Sequence, residues 1–254
     1  MSCTHRGKLL EIAIIGGTGL SELSGFSLEE SHNIDTPYGG TSSPILAGHL
    51  KQTPVCFLAR HGNPHRIPPH RINYRANIWA LKSLGIKKIV AVNAVGGIAA
   101  HMGPAHINIP NQIVDYTYRR NGSFCDDESA MPMHIDFTYP FDECIRNILI
   151  AKAEKLQLDF SSDGVYACSE GPRLETAAEI NRFEKDGCDL VGMTAMPEAA
   201  LAREKEITYA SICLVVNKAA GKSDSVITMK EIEQALKAGM RSVHALLSEV
   251  ASDL

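Results

Sequence analysis

No two cysteines of this 254-residue chain are spaced C-x-x-C, and the seven present, at positions 3, 56, 125, 144, 168, 188 and 213, form an odd set. That spacing offers neither a zinc ligand set nor a disulfide framework, so a reducing cytoplasm is its simplest setting. No feature marks any of these thiols as an activated nucleophile. Cys56, Cys168 and Cys213 fall in or beside apolar stretches, where thiols are commonly buried. No apolar run approaches the roughly 20 residues of a membrane helix. The run Leu9–Ile15 is short, contains Glu11 and leads into a glycine turn, and so reads as a first strand rather than a signal peptide. Nor does one sign of charge dominate. The formal net charge of -4 gives no electrostatic case for nucleic acid or an acidic membrane. Internal repeats and low-complexity tracts are absent as well.

What is present is an ordinary balance for a soluble globule, 44% hydrophobic and 21% charged residues. The length suits one domain, 1–254, with a substantial core. Strand-like runs recur at Ile12–Ile15, Val55–Ala59, Lys88–Asn93, Gly164–Cys168, Leu190–Met193 and Tyr209–Asn217. Helix-like segments lie between them at Arg75–Leu84, Asp142–Leu156, Thr176–Lys185 and Glu198–Glu206. A last one, Met229–Leu247, carries Ile232, Leu236, Met240 and Val243 on one face, with Thr228 placed to cap it. Near-continuous apolar strands alternating with helices predict an α/β fold with a buried mixed or parallel sheet. Ligands in such folds sit at the carboxyl ends of strands, where Gly16, Arg60, Asn93, Met193 and Asn217 fall. The proline-rich stretch Asn63–Asn73 and the segment Asn121–Pro132 predict irregular loops.

Gly16-Gly17-Thr18-Gly19 follows the first strand; its backbone N–H groups and the Thr18 hydroxyl either enclose an anion or simply turn the chain. A dinucleotide fingerprint starting at Gly17 would need glycine where Glu22 stands. Ala220-Gly221-Lys222-Ser223 resembles the tail of a phosphate-binding loop, but the earlier glycine position holds Val216. Arg60, His61, His65, Arg66, His70 and Arg71 crowd one stretch without a carboxylate, which favours an anion over a metal, or else a solvated basic loop. Arg60 and His61 stand out because they directly follow a strand. Glu175 reads alone as an early-helix acid and Asn217 as a strand-end residue. Both occur together with Met193-Thr194, and an acceptor and a donor past separate apolar runs suit the polar edge of a purine.

With these motifs in hand, the chain resembles the trimeric purine nucleoside phosphorylase and methylthioadenosine phosphorylase family. Ile15-Gly16-Gly17-Thr18-Gly19, Ala59-Arg60-His61-Gly62 and Ile72-Asn73-Tyr74-Arg75-Ala76-Asn77-Ile78-Trp79-Ala80-Leu81 look like its methylthioadenosine branch. Gly171-Pro172-Arg173 and Gly192-Met193-Thr194, followed by Pro197-Glu198, are shared signatures. The resemblance runs from about Ile12 into the last helix. It implies a single α/β domain with a central mixed β-sheet flanked by helices, assembled as a homotrimer. It also implies phosphate contacts from Thr18, Arg60, His61, Ala94 and Thr194, and from Asn93 where the family usually has Thr or Ser. Met193 matches a ribose contact, and His134 matches a residue that reaches a neighbouring subunit's 5′ pocket.

The base pocket departs from the methylthioadenosine pattern, which places Ser at Glu175 and Asp at Asn217 and Ala219. Glu and Asn are what family members acting on 6-oxopurine nucleosides carry. An ionised Glu175 accepts from N1–H and the Asn217 amide donates to O6 or N7, an edge that adenine does not present. Where enzymes of the inosine type place a His for the 5′-hydroxyl, Met229 and Ile232 offer an apolar pair suited to a thioether. The resemblance thus implies phosphate-dependent cleavage of S-methyl-5′-thioinosine to hypoxanthine and 5-methylthioribose 1-phosphate. Glu175, Asn217 and His61 are the candidate catalytic residues, and Met193, Ala219, His134, Met229 and Ile232 further substrate contacts. Orthophosphate is a cosubstrate, and no metal or organic cofactor is expected. A general inosine/guanosine phosphorylase, a methylthioadenosine phosphorylase, and a catalytically idle purine-binding protein are the alternatives.

Overall fold

Consecutive apolar residues from Ile12 to Ile15 have no polar face to give to water, so they form a strand covered on both sides, β1 (Ile12–Gly16). The computed structural model of the protein describes residues 10–18, 20, 23–125, 133–223 and 226–254. After β1 come β2 (Phe26–His32), β3 (Ile45–Leu50), β4 (Thr53–Ala59), helix α1 (Tyr74–Ser83), β5 (Lys88–Gly97), β6 (Ile107–Asn108) and β7 (Gln112–Asp115). The second half holds α2 (Glu143–Lys155), β8 (Phe160–Ser161), β9 (Val165–Cys168), α3 (Ala177–Lys185), β10 (Leu190–Gly192), α4 (Ala195–Glu204), β11 (Thr208–Lys218) and α5 (Met229–Val250). All six strand runs and five helices expected from the pattern are present, with ends shifted by a few residues.

The strands join in one mixed sheet in the order β2-β3-β4-β1-β5-β10-β9-β7. β11 lies off this path, parallel to β5 and antiparallel to β6. β4, β1, β5 and β11 are mutually parallel, so their carboxyl ends share one edge. Along β1 the side chains alternate between two cores: Ala13 and Ile15 pack under α1 and α4, Ile12 and Ile14 under α2 and α5. The same alternation places Asn93 on β5 and Ser211 on β11 at core-facing positions, where apolar neighbours would leave them unsatisfied. They satisfy each other: Asn93 Nδ2 donates to Ser211 Oγ at 2.6 Å.

Six strands differ from expectation, the short β6, β7 and β8 among them. β5 runs on to Gly97 because β11 pairs with it along its whole length, so Asn93 lies inside the strand rather than at its end, and Ala94 inside rather than past it. β2 and β3 form a hairpin that periodicity does not announce. Residues 27–31 of β2 are exposed, Leu28 among them, and no buried face imprints an alternating pattern. Thr228 does cap α5, in a reciprocal box with Glu231.

Candidate active site

The shared carboxyl edge opens into a cavity of about 300 Å³. β1 delivers Gly17 and Thr18, β4 delivers Arg60 and His61, β5 contributes Asn93–Gly96, and the turn after β10 supplies Met193 and Thr194. β11 brings Asn217, the loop after β9 brings Pro172, Leu174 and Glu175, and α5 contributes Met229 and Ile232. Residues from these seven chain segments therefore face one space. Of the remaining sequence candidates, Ala219 is buried behind the wall beside Ile98 and Val191. His134 is exposed and does not line the cavity of its own chain. Gly19, the last glycine of the first turn, lies outside the described residues, as do Ser21 and Glu22.

Arg60 is wholly buried and held by Glu198, also wholly buried. Nε and Nη2 donate to the two carboxylate oxygens at 2.6 and 2.7 Å, and Nη1 donates to the Val92 carbonyl at 3.2 Å. Tyr209 donates its hydroxyl to Glu198 Oε1 at 2.9 Å. Burial works against the arginine's charge, yet the pull and paired hydrogen bonds of Glu198 hold the guanidinium protonated beyond its ordinary range. A two-pronged clamp of this kind fixes the plane of the guanidinium.

His61 donates from Nδ1 to the carbonyl of Ile67 at 2.8 Å. Burial, reinforced by the Arg60 charge, lowers its pKa to about 4, so the ring is neutral near pH 7. His65, at the mouth, stacks on it with ring centroids 4.4 Å apart. Of the basic cluster, Arg60, His61 and His65 line the cavity; Arg66 and Arg71 are exposed outside it. Thr194 donates to Asn93 Oδ1 at 2.9 Å, extending the buried pair of Asn93 and Ser211 into a three-residue chain.

In the same cavity, Glu175 accepts the Ser169 hydroxyl at 2.5 Å. Burial raises its pKa above the ordinary carboxylate value, and this hydrogen bond works against that rise. A register shift between Val215 and Asn217 makes Val216 the extra residue of a bulge, and bulges of this kind re-aim the side chain that follows. Asn217 Nδ2 donates to the Lys218 carbonyl at 2.7 Å, which uses one of its two hydrogens. Ile232 is buried, whereas Met229 stands at the rim and is 66% exposed. The cavity thus brings together anion-directed groups, an acceptor and a donor, and an apolar pair.

The phosphorylase superfamily model matches residues 11–252. The chain belongs to that superfamily. A protein of Pseudomonas syringae pv. tomato, named probable S-methyl-5′-thioinosine phosphorylase, is 57% identical over 94% of this chain and 98% of its own length. The 6-oxopurine nucleoside phosphorylase of Pyrococcus furiosus is 44% identical over 89% of this chain and 86% of its own. Among solved structures, methylthioadenosine phosphorylase from Schistosoma mansoni in complex with adenine superimposes with a TM-score of 0.91 at 30% identity. That match covers 96% of this chain and 91% of the other.

In this phosphorylase the sequence motifs do not disclose how the site is supported. Glu198 stands in a quoted signature, but its pairing with Arg60 spans 138 residues and leaves no local trace. Ser169 follows an apolar strand without any pattern to mark it. Among the described residues, no three His, Cys, Asp or Glu side chains are grouped to hold a metal ion. No helix among them is long and apolar enough to cross a membrane.

Proposed function

We propose that this phosphorylase cleaves S-methyl-5′-thioinosine with orthophosphate, giving hypoxanthine and 5-methylthioribose 1-phosphate. The observation that carries the reading is the convergence of Glu175 and Asn217 on one cavity that also holds Arg60, His61 and Thr194. Phosphate attacks C1′ as the bond to N9 breaks. Asn217 donates to N7 or O6 and stabilises the negative charge that grows on the purine, while Glu175 anchors N1–H. Thr18, Arg60, His61, Asn93, Ala94 and Thr194 hold the nucleophile in line, chiefly a positioning effect. Met193 packs the ribose, and Ile232 with Met229 receives the methylthio group. The reaction needs no metal or organic cofactor. Relatives named for methylthioinosine and 6-oxopurine nucleosides support this choice of base.

The proposal includes a homotrimer in which His134 completes a neighbour's 5′ pocket; its exposure, outside its own chain's cavity, is compatible with that reach. It also includes a cytoplasmic setting, which suits the free thiols of Cys56, Cys125, Cys144, Cys168, Cys188 and Cys213. The exposure of Met229 favours one second reading, a general 6-oxopurine nucleoside phosphorylase. The test is a panel of methylthioinosine, inosine, methylthioadenosine and adenosine, each with and without phosphate. Methylthioinosine should give the highest kcat/KM, with base released only when phosphate is present. Inosine in first place would establish the second reading, and methylthioadenosine in first place would overturn both.

A further inference from the structure

Ser169 is fixed through every polar group it has. Its amide donates to the Gly192 carbonyl at 2.8 Å, its carbonyl accepts from Arg120 Nη2 at 3.2 Å, and its hydroxyl donates to Glu175 Oε1. Arg120 Nη1 also donates to the carbonyl of Met196, two residues past Thr194. The serine hydroxyl is therefore registered against the turn that carries Met193 and Thr194, and it approaches Glu175 from a rigid base. A donated O–H stabilises a carboxylate more than a carboxylic acid.

The protonation state of Glu175 decides which base fits. As a carboxylate it only accepts, and matches the N1–H of a 6-oxopurine. As a carboxylic acid it donates, and matches the bare N1 of adenine. Burial pushes Glu175 toward the acid, so an opposing donor is needed. Arg173 faces it from the same loop, but both its Nη1 and Nη2 are engaged with Glu179 at 2.8 and 2.7 Å, which offsets its charge. Behind Glu175, a second cavity brings Glu170, Arg182, Tyr116 and Tyr118 around the carboxylate. Arg182 is paired with Asp186, and Glu170 with Arg120. The nucleoside cavity is also lined by Arg60, neutralised by Glu198, and the histidines His61 and His65. None of these makes a direct hydrogen bond to the carboxylate. Ser169 does.

We propose that Ser169 is a specificity-determining positioning residue, whose hydroxyl keeps Glu175 an acceptor-only carboxylate and so turns away 6-aminopurine nucleosides. This inference rests on the 6-oxopurine reading of the cavity. Its test is the ratio of kcat/KM for methylthioinosine to that for methylthioadenosine, followed across about pH 5 to 9 in the wild type, Ser169→Ala and Ser169→Thr. Taking the ratio cancels the titration of phosphate and of His61, which both substrates share. In the wild type the ratio should fall on the acid side. In Ser169→Ala the fall should begin roughly one to two pH units higher, the worth of one hydrogen bond to a charged group. Ser169→Thr, which keeps the hydroxyl, should follow the wild type. A Ser169→Ala profile that superimposes on the wild type, or a Ser169→Thr profile displaced as far as Ser169→Ala, overturns the role of Ser169 alone. A wild type that prefers methylthioadenosine across the whole range overturns the 6-oxopurine reading instead, and is seen without any variant.

Discussion

Arg60 and Glu198 are each fully buried, and neither charge would be tolerable there without the other. Glu198→Gln should therefore act twice. Leaving the guanidinium half-paired should destabilise the fold by about 3–5 kcal/mol, read by denaturant melting. Loss of the clamp should lower kcat/KM for phosphate by roughly a hundredfold, the scale of a 1 Å misplacement. His61 gives a second residue-level expectation. It is neutral in the fold, with a pKa of about 4, so the unfolded chain binds the extra proton once the pH drops below the ordinary histidine value. Its contribution to stability is complete above about pH 6.5 and is lost as pH falls toward 4, roughly 3 kcal/mol in all. His61→Asn should flatten the melting-temperature profile over that window, measured without phosphate. At this scale the sequence discloses donors and acceptors, since Arg60, His61, Glu175 and Asn217 each follow or flank an apolar run. It does not disclose their supports, because Glu198, Ser169 and Ser211 are brought to them only by folding.

Among the elements, buried strands and amphipathic helices were legible because their burial leaves a periodic trace. β5 and β11 carry apolar residues toward both cores, and α5 keeps Ile232, Met240 and Val243 on its buried face. The hairpin strand β2 was not legible, since the exposed residues of such a strand need no alternation. Nor was the bulge at Val216, whose presence depends on the register chosen by β5. The start of α5 offers a test at this level. Thr228 is bonded to Glu231 on both its backbone and side chain, and the next residue is Met229 at the cavity rim. Thr228→Ala should cost about 1 kcal/mol of stability. It should also raise KM for methylthioinosine more than KM for phosphate, because on the proposed reading only the 5′ end of the substrate lies against this turn.

For the whole molecule, the proposed trimer predicts complementation. His134→Ala and Glu175→Gln, each poorly active alone, should regain activity when unfolded together and refolded as a mixture. Some mixed assemblies would then pair an intact Glu175 with a neighbour's intact His134. Activity that is only the average of the two separate variants would mean that each subunit works alone. The assembly itself had no signature in the composition or periodicity; it entered through resemblance.

Where β5 ends, Gly96 and Gly97 are bonded on one side to Leu190 and Val191 and on the other to Asn217 and Lys218. Two residues without side chains thus separate β11, which on the proposed reading meets the heterocycle, from β10, which leads into the turn of Met193 and Thr194. Neighbouring strands lie about 4.8 Å apart, a spacing that peptide groups dictate and surface segments do not. On the proposed reading, the gap between the departing base and the incoming oxygen would consequently be gauged by main chain. Grafting a different sequence onto the approach to α5 should alter which 5′ group is admitted while leaving that gauge untouched.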